Sequence, residues 1–245
     1  MAKQCLFCDN VADTKEHLWS DWILQGLKRT HPIRQVIQKS DPKEFYGDVR
    51  IKCVCSTCNS GWMSDLENSV RSVVGAMVHD ISVTIDVETQ RAISRWITKT
   101  SMVLEAAIPV EKRFYTRDDC RQLRLDGTIP ERSMIWLGRM SEIGVFAAGT
   151  RVWLIFDDSE TRADGVVATF SVGNLASQIL TFRFADHLNS TTMHVQCFDG
   201  PWEESLITIH PNARPVSWPQ KLTFSLNGTL PFTRLRDRWK VGRAL

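Results

Sequence analysis

The stretch CSTCNSGWMSDLE, residues 55–67, places a Cys-x-x-Cys pair immediately before the start of an apolar helical pattern. A matching pair, Cys5-x-x-Cys8, lies near the beginning of the chain. Zinc takes four soft ligands in a tetrahedron, and two such pairs supply them while closing a segment too small to hold itself together. We therefore predict a structural zinc ion on Cys5, Cys8, Cys55 and Cys58, with no coordination position left for a substrate.

The remaining cysteines are expected to be thiols. Cys53 is an alternative zinc ligand, but Cys55 and Cys58 have the proper spacing. Cys53 is therefore predicted to be a strand residue that faces a small core. Cys120 and Cys197 are distant in sequence and are expected to be buried thiols.

Composition and charge indicate an ordinary globular protein. The chain has 245 residues, of which 43% are hydrophobic and 24% are charged, close to the average for globular domains. With neither an apolar leader nor a membrane-length apolar stretch in the sequence, we expect a soluble cytoplasmic protein that does not bind membranes. In the cytoplasm, paired cysteines indicate metal ligands before disulfides.

Net charge does not by itself indicate a nucleic-acid partner, because it is only +2. Residues 232–245 nevertheless contain five basic side chains against one acidic, a net of +4. This tail could lie along phosphates, or it could be a solvated terminal segment.

Apolar periodicity predicts four helices and one strand before residue 126. The apolar residues between Leu18 and Leu27 have helical spacing that ends at His31-Pro32, and period-two alternation at residues 49–54 predicts a strand that leads into Cys55. The other helices are predicted over residues 62–78, 88–107 and 117–125.

Beyond residue 133 the chain is rich in short runs of β-branched and aromatic residues. Strands are predicted at residues 134–137, 152–156, 166–172, 179–184, 193–198, 206–209 and 221–226. Turns are predicted at Asp164-Gly165, Asp199-Gly200-Pro201 and Asn227-Gly228. The fold class is therefore α+β, with a zinc-stapled module at residues 1–80 and an α+β region with a mostly antiparallel sheet at residues 81–245.

The second region has no chemical motif that can be named. Its histidines His187, His194 and His210 are expected to be structural. The tryptophans Trp202, Trp218 and Trp239 are expected to pack against the sheet, although stacking on bases is an alternative. This region could recognise DNA, a ligand or a partner protein.

Two further features accompany the cysteine pairs. Glu16-His17 follows the first pair, and Asn59 directly follows the second. In this arrangement the chain resembles the HNH endonucleases, or ββα-metal nucleases. Their pattern is Cys-x-x-Cys, an acidic residue and histidine that end a first strand, a second strand, and Cys-x-x-Cys-Asn opening a helix. The resemblance covers about the first third of the chain, with a long insertion between the cysteine pairs.

The resemblance implies a role for each matched residue. His17 would be the general base that takes a proton from the attacking water. Glu16 and Asn59 would hold one divalent cation, Mg²⁺ or Mn²⁺, at the scissile phosphate of DNA. Residues 1–80 would be the nuclease module, and nucleases of this class recur in phage defence, restriction and mobile elements.

The sequence also departs from the family pattern. Glutamate stands at position 16, where the family more often has aspartate, and Asp48 lies near the place of a second-strand asparagine. No histidine occurs between Asn59 and His79, where many members have a further metal ligand.

Structural interpretations of the same residues remain open. Glu16 and His17 could be residues of a helix N-terminus, and Asn59 could be a helix N-cap. Asp65 and Glu67 are expected on a solvated helix face. Lys15 and Lys52 could contact phosphate or lie on the surface.

Three functions are therefore compatible with the sequence. The first is a metal-dependent HNH endonuclease acting on DNA. The second is a non-catalytic zinc ribbon that binds nucleic acid or protein. The third is a nuclease subunit that is active only with a partner protein. The chain could also assemble as a homo-oligomer.

Overall fold

The computed structural model describes residues 3–28, 37–38, 43–46, 48–155, 162–184, 193–197, 206–224 and 239–243. Its helices are α1 (Asp21–Lys28), α2 (Ser56–Cys58), α3 (Ser64–Val78), α4 (Val87–Glu105) and α5 (Arg117–Leu125). Its strands are β1 (Thr14–His17), β2 (Ile37–Gln38), β3 (Lys43–Tyr46), β4 (Arg50–Val54), β5 (Val83–Ile85), β6 (Ser133–Ile155), β7 (Arg162–Phe184), β8 (Met193–Cys197), β9 (Leu206–His210), β10 (Val216–Trp218), β11 (Thr223–Phe224) and β12 (Trp239–Arg243). The predicted α+β class is confirmed.

In the N-terminal part, α1, β2 and β3 lie between β1 and β4 along the chain, and a helical run follows β4. Strand β1 pairs with β4, and Glu16 lies opposite Ile51 while His17 lies opposite Arg50. The chain then passes through α2 and a π-type segment, Asn59–Met63, into α3. Gly61 bends this helical run because its backbone ψ of −116° is not helical. The strand leading into Cys55 and the helix near residues 62–78 are thus confirmed.

The larger sheet is built on a long antiparallel hairpin. Strands β6 and β7 pair along almost their whole length, with an irregularity between Arg139 and Gly144. The opposite edge of β6 is shared by β9, β3 and the parallel strand β11. Strand β2 pairs with β3 at the end of this sheet, and two separate pairs form between β5 and β10 and between β8 and β12.

Helices α3 and α4 pack on each other and against β7. One continuous core includes the buried cysteines, α1, α3, α4 and the inner face of the long hairpin. Trp19, which precedes α1, contacts Phe170 on β7 edge to face at 5.7 Å between ring centroids. The N-terminal elements and the sheet therefore share apolar packing, and the division at residue 80 stays a prediction.

The hairpin replaces several of the shorter strands predicted from sequence. The predicted turn at Asp164-Gly165 is wrong, because both residues lie inside β7 opposite Trp153 and Val152. The helix over residues 117–125 has the predicted bounds, and α4 is close to its prediction. Among the described helices, none is long and apolar enough to cross a membrane.

Several predictions fall on residues or side chains that lie outside the described part of the chain. These are the helix end at His31-Pro32, the turns at residues 199–201 and 227–228, and the predicted side-chain roles of His187, His194, Cys197, Trp202 and Trp239. Of the basic tail, the structure describes only β12, which pairs with β8. Trp218 is buried at 2% exposure, so its predicted packing role is confirmed.

Candidate functional site

The four predicted zinc ligands meet in one buried cluster. The sulfur atoms of Cys5, Cys8, Cys55 and Cys58 all lie within 4.8 Å of one another. The Sγ of Cys8 is 3.5 Å from that of Cys55 and 3.6 Å from that of Cys58. These separations are far longer than a disulfide bond and close to the edge of about 3.8 Å that a zinc tetrathiolate requires. The group could therefore hold a metal ion such as zinc.

Hydrogen bonds around the sulfur atoms favour thiolate ligands. The backbone N–H of Cys55 donates to the Sγ of Cys5 at 3.3 Å, and the N–H of Cys58 donates to the Sγ of Cys55 at 3.4 Å. Burial alone raises the pKa of Cys55, but the hydrogen bond from the N–H of Cys58 and those with neighbouring side chains outweigh it and lower the pKa to about 7. Burial raises the pKa of Cys5 and Cys58, so a bound cation is what would keep all four sulfurs ionised.

Cys53 does not belong to this cluster. It lies on β4, is 1% exposed, and has a pKa raised to about 12 by burial and by the nearby charge of Glu16. The prediction of a buried strand thiol is confirmed. Cys120 is likewise buried on α5.

A pocket of about 220 Å³ lies at the end of β1, next to the helical run that carries Cys58 of the four-cysteine cluster. Glu16, His17 and Asn59, the three residues that sequence analysis selected for catalysis, all line it. The remaining lining comes from the start of α1 and from the helical run after Cys58, and comprises Ser20, Asp21, Ser60, Met63, Ser64 and Glu67. Residues distant in sequence are thus brought together, because β1 and α3 are joined through the cysteine cluster.

His17 contacts an acidic partner on its Nδ1 side. Its Nδ1 is 3.3 Å from Oδ1 of Asp48, and Arg50 donates to the other oxygen of Asp48 at 3.1 Å. This contact does not have hydrogen-bond geometry, but it places the Asp48 carboxylate beside Nδ1 of the ring. His17 belongs to β1 and not to a helix N-terminus, so that alternative interpretation is wrong.

Asn59 is held by β1 rather than by a helix cap. Its side-chain amide donates to Oγ1 of Thr14 at 3.3 Å, and that hydroxyl donates to the carbonyl of Val54 at 3.0 Å. The N-cap of the helical run is Cys55, whose sulfur accepts from Cys58 N–H, so the N-cap interpretation of Asn59 is wrong. With its NH₂ group engaged, the amide oxygen is the group that Asn59 can offer to a ligand.

Glu16 lies on the inward side of β1 and is only 5% exposed. It accepts a hydrogen bond at 2.8 Å from Nζ of Lys99, a residue of α4. The same ammonium donates to Glu67 of α3 at 3.1 Å. Glu16 is therefore no first-turn helix acid, and Glu67 does not lie on a freely solvated face; both sequence interpretations are wrong.

The outer face of the β1–β4 ribbon is basic around His17. Lys15 lies on the same side of β1 as His17, and the residues opposite them on β4 are Lys52 and Arg50. All three basic side chains are exposed. A polyanion approaching His17 would therefore meet positive charge.

Sequence analysis did not identify Lys99 or Ser20. Lys99 lies three residues after Trp96 and four before Val103, on the inward face predicted for α4. A lysine on an apolar stripe signals a buried partner, but its partners lie 83 and 32 residues away in sequence. Ser20 gave no signal; it is 2% exposed, and its Oγ has no hydrogen-bond partner among the described residues.

No protein-family model, no curated protein and no solved structure matches this chain.

Proposed function

We propose that this protein is a metal-dependent endonuclease of the HNH type that hydrolyses phosphodiester bonds in DNA. The observation on which the proposal rests is that Glu16, His17 and Asn59 line one pocket beside a four-cysteine cluster. The antiparallel pairing of β1 with β4 and the helical run after β4 support the proposal, in which α1, β2 and β3 would be an insertion between the two strands. In this proposal zinc is structural, because four thiolates leave it no open position.

The pocket's donor groups fit a hard divalent cation. Carboxylate and amide oxygens are the ligands that Mg²⁺ and Mn²⁺ prefer, and Glu16 and Asn59 would hold the ion. When bound, such a cation would polarise the phosphate and stabilise charge on the leaving 3′ oxygen. The Oγ of Ser20 in the pocket wall, which has no hydrogen-bond partner among the described residues, is a further polar group that a bound ligand could satisfy.

His17 would act on the attacking water. Its neutral imidazole would accept the proton at Nε2, and Asp48 at Nδ1 would stabilise the imidazolium that forms. Lys15, Lys52 and Arg50 would bind flanking phosphates along the ribbon. The DNA backbone would thus be held across the pocket mouth.

A plasmid-nicking assay tests this proposal. Purified protein is incubated with supercoiled DNA in Mg²⁺ or Mn²⁺ and in EDTA, and wild type is compared with His17→Ala. His79→Ala is the matched control, because His79 is an exposed histidine at the end of α3 that does not line the pocket. We expect cleavage that needs the divalent ion, persists in His79→Ala, and is lost in His17→Ala at equal zinc content.

A folded, zinc-loaded wild type that leaves DNA intact under all these conditions would contradict an autonomous nuclease. The zinc ribbon that only binds, or the subunit that needs a partner, would then replace it. DNA retention in a gel-shift assay would indicate the first, and recovery of a stable complex by pull-down would indicate the second.

A further inference from the structure

The pocket is backed by a buried charged triad formed by Glu16, Glu67 and Lys99. The ammonium of Lys99 is 1% exposed and lies 2.8 Å from Oε1 of Glu16 and 3.1 Å from Oε1 of Glu67. A buried ammonium is costly unless it is paired with anions. The carboxylates of Glu16 and Glu67 supply that pairing for Lys99.

The three members of this triad differ in their relation to the pocket. Glu16 and Glu67 both line the pocket, whereas Lys99 does not and approaches the two carboxylates from α4. Each glutamate uses Oε1 for Lys99, and within the described part of the chain no hydrogen bond reaches the Oε2 of either one. Each carboxylate therefore retains an oxygen that could serve a ligand in the pocket.

The charge balance also favours a divalent cation. Lys99 contacts both carboxylates and supplies one formal positive charge against their two formal negative charges. The triad therefore has a net formal charge of about −1, which favours a cation in the pocket. Ser20 adds a nearly fully buried hydroxyl in the pocket wall whose oxygen has no partner among the described residues.

We propose that Glu67 is a second carboxylate ligand of the pocket's divalent cation, and that Lys99 is the positioning residue that holds Glu16 and Glu67 toward it. This inference deepens the proposed nuclease function and rests on it for the role of the cation. Glu67 would stand in for the metal-binding histidine that the helix after Asn59 lacks. Lys99 would act only through the two glutamates.

Mn²⁺ binding to the full-length, zinc-loaded protein tests the inference without relying on activity. Free Mn²⁺ is measured by electron paramagnetic resonance during titration of wild type, Glu67→Gln and Asp65→Asn. Glutamine keeps an acceptor for Lys99 but removes the charge, so we expect Mn²⁺ affinity to fall by about tenfold or more. Asp65 is an exposed acid on the same helix turn and outside the pocket lining, so Asp65→Asn should bind like wild type.

A second pair of variants tests Lys99. Lys99→Met should weaken Mn²⁺ binding by about tenfold to a hundredfold, as the loss of an orienting partner typically does. Lys99→Arg keeps the charge and should recover most of that affinity. Equal Mn²⁺ affinity in wild type and folded Lys99→Met would overturn the positioning role. If Lys99→Met does not fold, the Mn²⁺ affinity of Glu67→Gln tests the inference instead.

The failures of the two proposals are distinguishable. Wild type that cleaves DNA while Glu67→Gln keeps wild-type Mn²⁺ affinity overturns this inference and leaves the nuclease intact. Wild type that binds Mn²⁺ through Glu67 without cutting DNA contradicts the nuclease and supports the cation site. Wild type that does not bind Mn²⁺ overturns the inference.

Discussion

Replacement of Lys99 by methionine tests the triad as a structural element. Methionine has a similar length and no charge, so the substitution leaves Glu16 and Glu67 without their shared cation. Removing one partner of a buried ion pair typically costs about 3–5 kcal/mol. Glu16 is 5% exposed and can be hydrated only through the pocket, whereas Glu67 keeps 20% of its side chain exposed and is hydrated more easily. We therefore expect Lys99→Met to lower the free energy of unfolding by about 3 kcal/mol, near the lower end of that range.

The measurement is urea unfolding followed by tryptophan fluorescence at constant zinc loading. Lys52→Met is the control, since Lys52 is exposed on β4 and its loss should change the free energy of unfolding by less than about 0.5 kcal/mol. Adding Glu16→Gln to Lys99→Met should restore part of the lost stability, because it removes the uncompensated charge. A Lys99→Met protein within about 1 kcal/mol of wild type would refute the account of the triad.

Three further predictions follow from other parts of the fold. Cys58→Ser should abolish zinc binding, measured by metal analysis, and destabilise the N-terminal elements by several kcal/mol; a variant that keeps zinc would contradict the ligand set. Gly173→Ala should lower the unfolding free energy by about 1–3 kcal/mol, because φ is +61° and a Cβ would lie 2.5 Å from the carbonyl oxygen of Val78; an unchanged denaturation midpoint would refute this. Burial raises the pKa of Glu105. The folded protein therefore keeps this carboxyl protonated to a higher pH than the unfolded chain does. The contribution of Glu105 to the free energy of unfolding falls as the pH rises. Between about pH 4 and pH 7 the free energy of unfolding should therefore fall more in wild type than in Glu105→Gln. The same pH dependence of unfolding in both proteins would contradict this prediction.

Local signals were sufficient for the helices and for the cysteine cluster. Helix α5 begins after Thr116, whose hydroxyl forms a capping box with Asp119. The start of this helix is therefore determined by residues close together in the sequence. The two cysteine pairs have a spacing that only a metal or a disulfide explains well, and the sulfur atoms do converge. In both cases the information lies within a few residues.

The long hairpin was not predicted because glycine signals are ambiguous. Asp164-Gly165 is a common turn dipeptide, yet Gly165 lies within β7, where a Cβ would come within 2.9 Å of the Thr181 carbonyl oxygen. The glycine therefore reflects a close backbone approach rather than a turn. Sequence alone does not separate these two uses.

The chemistry around the pocket shows the same limit. Glu16, His17 and Asn59 were selected through motif spacing, and the structure brings them to one pocket. The partner of Glu16, Lys99, comes from a helix without a motif, and the contact between the two spans 83 residues. Such long-range pairs depend on how α4 packs against the N-terminal elements, which no local pattern encodes.

Chemical rescue of His17→Gly is the measurement that tests the central claim most directly. Glycine removes the imidazole and opens space in the pocket, while Asp48 and the cysteine cluster remain in place. The account expects that His17→Gly does not nick DNA in Mg²⁺, and that added imidazole restores part of the rate in this variant but does not accelerate wild type. Nicking by His17→Gly at the wild-type rate without imidazole would contradict the assignment of His17 as the general base.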